Sequence, residues 1–152
     1  MDDLFSSALC FPASDNSLLV QFGKNISVET HSKVALLTKL VLADMPKGFL
    51  NVHPAYNSVL ISFDPSQTDH SSAEHMMRTL ARNNPTSPRE DRLVIIPTCY
   101  KSELGPDLLE VARHCGLTED EVIQAHSSAE YLVYFLGFTP GFPYLGGMPT
   151  KL

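Results

Sequence analysis

An α+β fold is predicted by three observations on this sequence. Apolar segments of strand length alternate with helical patterns through residues 1–97. Both helical patterns carry their own start or stop residues. Phe49–Pro54 and Ser58–Phe63 are separated only by Ala55-Tyr56-Asn57, the spacing of an antiparallel hairpin.

Each element follows in order. Ser17–Gly23 (SLLVQFG) reads as a short strand. Ser27–Ala43 reads as a helix, with Val28, Leu36, Leu37, Leu40 and Val41 recurring at helical spacing. Pro46 cannot continue that helix, and Gly48 suits the left-handed turn that leads into the hairpin. After a turn at Asp64-Pro65-Ser66, Ser71 and Glu74 have capping-box spacing at the head of a second helix, expected over 72–83. Its apolar face is Met76, Met77, Leu80 and Ala81. The stretch 83–91 (NNPTSPRED) is a polar loop, and Arg92–Pro97 (RLVIIP) is expected as a fourth strand. The resulting order, β-α-β-β-α-β over residues 9–97, is the split βαβ or ferredoxin-like arrangement. That fold hosts many activities and assigns none.

Residues 98–152 form the second expected domain. Pro106 in the first turn and Gly116 at the end bracket one helix. Thr118 and Glu121 form a capping box for the next. With Glu119, Asp120 and Glu121 opening that second helix, a DNA-reading helix pair is disfavoured. The stretch 129–138 (AEYLVYFLGF) is rich in β-branched and aromatic residues and reads as a strand. The pentapeptide HSSAE occurs at 70–74 and at 126–130, starting a helix in the first case and ending one in the second. Its flanks do not match, so it marks no structural repeat.

Composition narrows the function. With 43% hydrophobic and 18% charged residues, the 152-residue chain has the make-up of a globular protein. Its net charge of −6, with Arg78, Arg82, Arg89 and Arg92 spread over a helix and a loop, argues against nucleic acid binding. The start, MDDLFSSALCF, is acidic rather than a basic signal sequence, and no apolar run approaches a membrane span. Cys10, Cys99 and Cys115 are odd in number with no CxxC pair, which suggests a reduced, cytosolic protein.

Signatures for phosphate loops, dinucleotide folds, serine hydrolases and zinc proteases are absent, and no metal site is expected. His70 and His75 lie five apart and do not share a helix face; His114 lacks further ligands at metal spacing. Cys115 at a helix C-terminus is read as structural, while Cys99 has room to react but no supporting neighbour pattern. Asp107 either orients a ligand or simply favours the helix dipole. His126 and Glu130 form a candidate acid/base pair if Ser127 and Ser128 turn the chain. The alternative has His126 capping its helix and Glu130 solvated.

The segment from Gly137 to Pro149 (GFTPGFPYLGGMP) holds four of the chain's eight glycines. Gly141, Gly146 and Gly147 allow backbone conformations closed to other residues, and Pro140, Pro143 and Pro149 stiffen the loop. Phe138, Phe142 and Tyr144 supply an apolar platform. A pre-ordered aromatic loop loses little entropy on binding, so these eight positions (Phe138, Pro140, Gly141, Phe142, Pro143, Tyr144, Gly146 and Gly147) are the expected substrate- or partner-binding surface. The competing reading is that the aromatics plug the mouth of a β-barrel.

The strings HSSAEYLVYFLGFTPGFPYLGGMP (126–149) and IPTCY…GPDLLEVARHCGLTEDEVIQAHS (96–127) closely resemble the KipI family. Its members are also called the B subunit of 5-oxoprolinase or allophanate hydrolase subunit 1. The resemblance implies a ferredoxin-like first domain, a helical linker and a cyclophilin-like β-barrel that continues beyond Leu152. On that basis the chain would contain only the start of the barrel. It further implies a component of an ATP-dependent 5-oxoprolinase, which opens 5-oxoproline to L-glutamate with two other subunits. ATP would be used by the complex and not bound by this chain alone. The alternative it implies is an inhibitor of a sensor histidine kinase.

Overall fold

A computed structural model describes residues 4–5, 8–83 and 92–152, so most of the polar loop expected at 83–91 lies outside the described residues. The chain divides into two units, residues 1–90 and 91–152.

The first unit is a four-stranded antiparallel sheet and two helices. Its elements are β1 (Leu9–Ser14), β2 (Ser17–Gln21), α1 (Val28–Ala43), β3 (Phe49–Pro54), β4 (Ser58–Phe63) and α2 (His70–Asn83). Sheet order is β1-β2-β4-β3. Strands β2 and β3 both run antiparallel to the β4 between them, so β2-α1-β3 is a split βαβ. Strict alternation on β4 buries Val59, Ile61 and Phe63. Val59 and Ile61 face Val20 and Leu18 of β2 across the ladder. Val34, Leu37 and Val41 from α1 and Ala73 and Met77 from α2 close the same core, all fully buried. Burying each large aliphatic chain contributes about 1.5–3 kcal/mol.

The outer strand is not the expected one. Residues 92–97 form no strand, and Leu93, Val94, Ile95 and Ile96 are 58–85% exposed. Beside β2 the sheet edge is already taken by β1, paired from Leu9–Gln21 to Ser14–Ser17. β-Propensity makes a strand only where a ladder partner is available. Pro12 lies within β1, as an edge position permits, because its missing N–H is not needed there.

Helix starts differ in detail. Ser27 caps α1 by accepting the Thr30 N–H at 3.1 Å. Val28, expected on the apolar face, is 62% exposed, and His31 is buried instead. The proposed Ser71–Glu74 capping box does not form. Asp69 accepts the Ser72 N–H at 2.7 Å, starting α2 earlier than expected, and Glu74 pairs with Arg78 at 2.7 Å. Gly48 is left-handed at φ 92°.

The second unit holds a short 3-10 turn (Ser102–Leu104), α3 (Leu108–Cys115), α4 (Glu119–Ser127), β5 (Leu132–Leu136) and β6 (Pro143–Gly146). Gly116 ends α3 in the left-handed conformation, and the Thr118–Glu121 capping box is complete. The Gly/Pro segment is more regular than its composition suggests, for it folds back as β6 against β5. Thus HSSAE opens α2 in one copy and closes α4 in the other, its conformation set by its neighbours. Among the described residues no helix is long and apolar enough to cross a membrane.

Candidate functional site: an aromatic hairpin beside a tyrosine-clamped histidine

The hairpin loop, residues 137–142, is two turns in series. Thr139 donates to the Gly137 carbonyl at 2.6 Å, a three-residue turn centred on Phe138. Phe142 then donates to the Thr139 carbonyl at 3.1 Å, with Pro140 and Gly141 in the middle. Gly141 has φ 83°, so Thr139-Pro140-Gly141-Phe142 carries the type II pattern of proline followed by left-handed glycine. Gly137 N–H closes the loop on the Phe142 carbonyl at 3.1 Å.

Phe138 is the strained residue. It holds φ 57°, the single positive φ outside glycine among the described residues, and is 86% exposed. A bulky side chain in that region costs about 1–3 kcal/mol. Such strain is characteristic of ligand clamps and active sites.

Four rings run along the hairpin. Phe135 and Tyr144 stack at 4.3 Å and 11°, Phe142 meets Tyr144 edge-on at 5.5 Å, and Phe138 meets Phe142 edge-on at 5.7 Å. The stack follows from the register, which sets Phe135 opposite Tyr144. A bulge at Tyr134 makes this pairing possible and turns the Tyr134 ring over Gly146, where any β-carbon would collide with it. Leu136, Phe142, Leu145 and Met148 add apolar surface, each 46–62% exposed. All eight expected binding positions lie on this hairpin or at its end.

Among the described residues no ion pair joins His126 and Glu130. Glu130 is exposed, and its carbonyl oxygen packs against Gly147. His126 is half-buried in the last turn of α4, with Nδ1 2.6 Å from the Tyr100 hydroxyl. The Tyr131 hydroxyl donates to the His126 carbonyl at 3.1 Å. Both tyrosine rings flank the imidazole, Tyr100 edge-on at 5.7 Å and Tyr131 tilted at 5.4 Å. Burial and then the nearby Tyr100 hold the Tyr131 hydroxyl above its ordinary pKa. Tyr100 is the residue that sequence reasoning missed. It lies 26 positions from His126, outside the reach of any local pattern.

The cluster and the hairpin are joined. Gly147, at φ 102°, rests on Glu130 and Tyr131, and a β-carbon there would lie 2.9 Å from the Glu130 oxygen. Tyr131 therefore touches His126 on one side and the hairpin's end on the other.

The remaining candidates are structural or open. His70 Nε2 lies 2.8 Å from the Ser14 carbonyl, its ring edge-on to Phe63 at 5.0 Å. Cys99 is exposed, and the half-buried Cys115 donates to the Leu152 carbonyl at 3.6 Å. Asp107 makes no side-chain cap and lines a shallow, open cleft along α3 with His114 and Cys115. Among the described residues no three His, Cys, Asp or Glu side chains gather as a metal site.

Comparison with known proteins gives this geometry a family. The chain is 34% identical over 145 residues to the B subunit of 5-oxoprolinase from Escherichia coli O157:H7, covering 95% of this chain and 66% of that protein. It is 32% identical over 152 residues to the B subunit of 5-oxoprolinase from Bacillus subtilis (strain 168), covering 91% and 62%. It thus spans somewhat less than two thirds of each of these curated relatives. A crystal structure of the protein TTHA0988 superposes with a TM-score of 0.78 at 31% identity, over 91% of this chain and 27% of that one. A model of the carboxyltransferase domain, subdomain C and D, matches residues 9–152, and the chain belongs to that family.

Proposed function

We propose that this chain acts as a subunit, or part of one, of a 5-oxoprolinase complex that opens the lactam of 5-oxoproline to L-glutamate at the expense of ATP. One observation carries the reading: similarity to the B subunit of a 5-oxoprolinase extends over 95% of this chain. The pre-shaped aromatic hairpin supports it, because an exposed, strained ring on a stiff turn suits a wall completed by another subunit.

In this reading Phe138, Pro140, Gly141, Phe142, Pro143, Tyr144, Gly146 and Gly147 line a site shared with two partner subunits. His126 and Glu130 supply its polar groups. ATP is handled by the partners, since no glycine-rich phosphate loop occurs in the sequence. The three cysteines, all free, fit a cytoplasmic setting. The first unit, with its split βαβ, is ferredoxin-like with β1 at the edge position of the usual last strand. The second unit is a helical linker leading into cyclophilin-like barrel strands, on which Val133, Leu136 and Leu145 are exposed. In this reading the chain also falls with KipI and allophanate hydrolase subunit 1, which its strings at 96–127 and 126–149 resemble. Inhibition of a histidine kinase draws no support from the two relatives, both named as oxoprolinase subunits.

The test is reconstitution with the partner subunits and measurement of ATP-dependent glutamate release from 5-oxoproline. Phe142→Ala and Gly141→Val are expected to abolish turnover while the first unit stays folded. Full activity in both variants contradicts the proposal.

A further inference from the structure

We infer that Tyr100 is a positioning residue that locks His126 in the tautomer protonated on Nε2, so that His126 presents an N–H donor to a carbonyl or carboxylate oxygen of the ligand. The inference deepens the 5-oxoprolinase reading and rests on it for the ligand's chemistry, but not for the tautomer.

The Tyr100 hydroxyl lies 2.6 Å from Nδ1 of His126. A phenol hydroxyl carries one proton to donate and lone pairs to accept. A neutral imidazole offers one acceptor nitrogen, and the bond made by one nitrogen fixes where the ring proton sits. With Tyr100 donating to Nδ1, the ring proton is on Nε2. The reverse arrangement would leave two groups unpaired among the described residues, the phenol proton and the bare Nε2, where the first leaves only the Nε2 proton.

Everything around the pair limits its freedom. Gly105 lies so close to the Tyr100 carbonyl that no β-carbon fits between them. The Leu104 N–H closes the turn onto the Lys101 carbonyl at 3.1 Å. On the other side, Tyr131 holds the His126 main chain through its hydroxyl and the imidazole through its ring. Val122 and Ala125, both buried, anchor α4 one turn and one residue before His126. Nδ1 and the main chain are thus engaged, and the Tyr131 ring packs against the imidazole. Nε2 has no hydrogen-bond partner among the described residues, which leaves it for a ligand. Tyr131, whose ring packs against the imidazole, also touches Gly147 at the end of the aromatic hairpin, the expected seat of that ligand.

The experiment is long-range 1H–15N correlation of histidine-labelled full chain above the ordinary imidazole pKa, with His126 assigned by its loss in His126→Gln. The expected spectrum shows Nδ1 as the unprotonated nitrogen and Nε2 as the protonated one. In Tyr100→Phe, and in Gly105→Ala, the two signals should move toward the average of exchanging tautomers. A proton on Nδ1 in the native chain, or an unchanged His126 spectrum in Tyr100→Phe, overturns the inference. In the reconstituted complex, Tyr100→Phe should reduce turnover about tenfold or more, as for other groups that orient a histidine. Unchanged turnover in an active complex overturns the positioning role. If the native chain supports no turnover, the oxoprolinase reading fails, and the tautomer measurement alone decides this inference.

Discussion

Gly147 and Glu130 are in contact through backbone alone: a β-carbon at 147 would sit 2.9 Å from the Glu130 carbonyl oxygen. With φ at 102°, the position excludes side chains twice over, by conformation and by space. Gly147→Ala is therefore expected to destabilise the second unit by about 1–3 kcal/mol. Amide hydrogen exchange checks it. Exchange in β5 and β6 should accelerate while β2 and β4 keep their protection, and uniform behaviour of both sheets would contradict the contact.

Gly141 makes the opposite case, because nothing lies within 4 Å of a β-carbon built there. Only its φ of 83° resists substitution. Gly141→Val should cost about 1–2 kcal/mol, and Gly141→Asn clearly less, since asparagine tolerates the left-handed region. Equal losses in thermal or denaturant unfolding would mean that the turn is not type II.

The Cys10 thiol is pushed up to about 11 from 9.0, first by burial and next by the Glu74 carboxylate. Alkylation of Cys10 should lag far behind that of the exposed Cys99 and rise only as the pH nears 11. Glu74→Gln should shift that rise to lower pH. The folded state holds the thiol proton more tightly than the unfolded chain does. Stability is therefore unaffected below pH 9.0, and it declines between 9.0 and about 11. A stability profile that rises across this window would contradict the assignment.

Residues 92–97 test the corrected topology. If β1 is the edge strand, Ile95→Ser should leave the first unit's stability within about 0.5 kcal/mol. Ile61→Ala, in the buried row shared with Leu18, should cost about 2–5 kcal/mol. A large loss from Ile95→Ser would restore residues 92–97 to the sheet.

The elements that the sequence revealed are those with local causes. Gly48, Gly116 and the Thr118–Glu121 pair act within a few residues of themselves, and each ends or caps what its chemistry suggests. Alternation marked β4 because one face is buried and the other is not. The misses needed information from elsewhere in the chain. Leu9–Ser14 carries a proline that argues against a strand until its edge position is known. Arg92–Pro97 has strand composition, but the place beside β2 is filled by a segment some 80 residues earlier. In the site, the aromatic platform was legible from composition, yet its stacking depends on a bulge at Tyr134 that no motif announces. Tyr100 was invisible for the same reason, being brought to His126 only by tertiary folding.

The central claim is that the exposed aromatic hairpin completes a 5-oxoprolinase site, and Phe138 tests it most directly. Its ring is 86% exposed, so its removal takes little from the isolated chain. The measurement is ATP-dependent conversion of 5-oxoproline to glutamate by the reconstituted complex with native chain and with Phe138→Ala. The account predicts an active native complex and at least a tenfold loss in the variant, about 1.4 kcal/mol of lost interaction, with unchanged unfolding of the free chain. Full turnover with Phe138→Ala would contradict it.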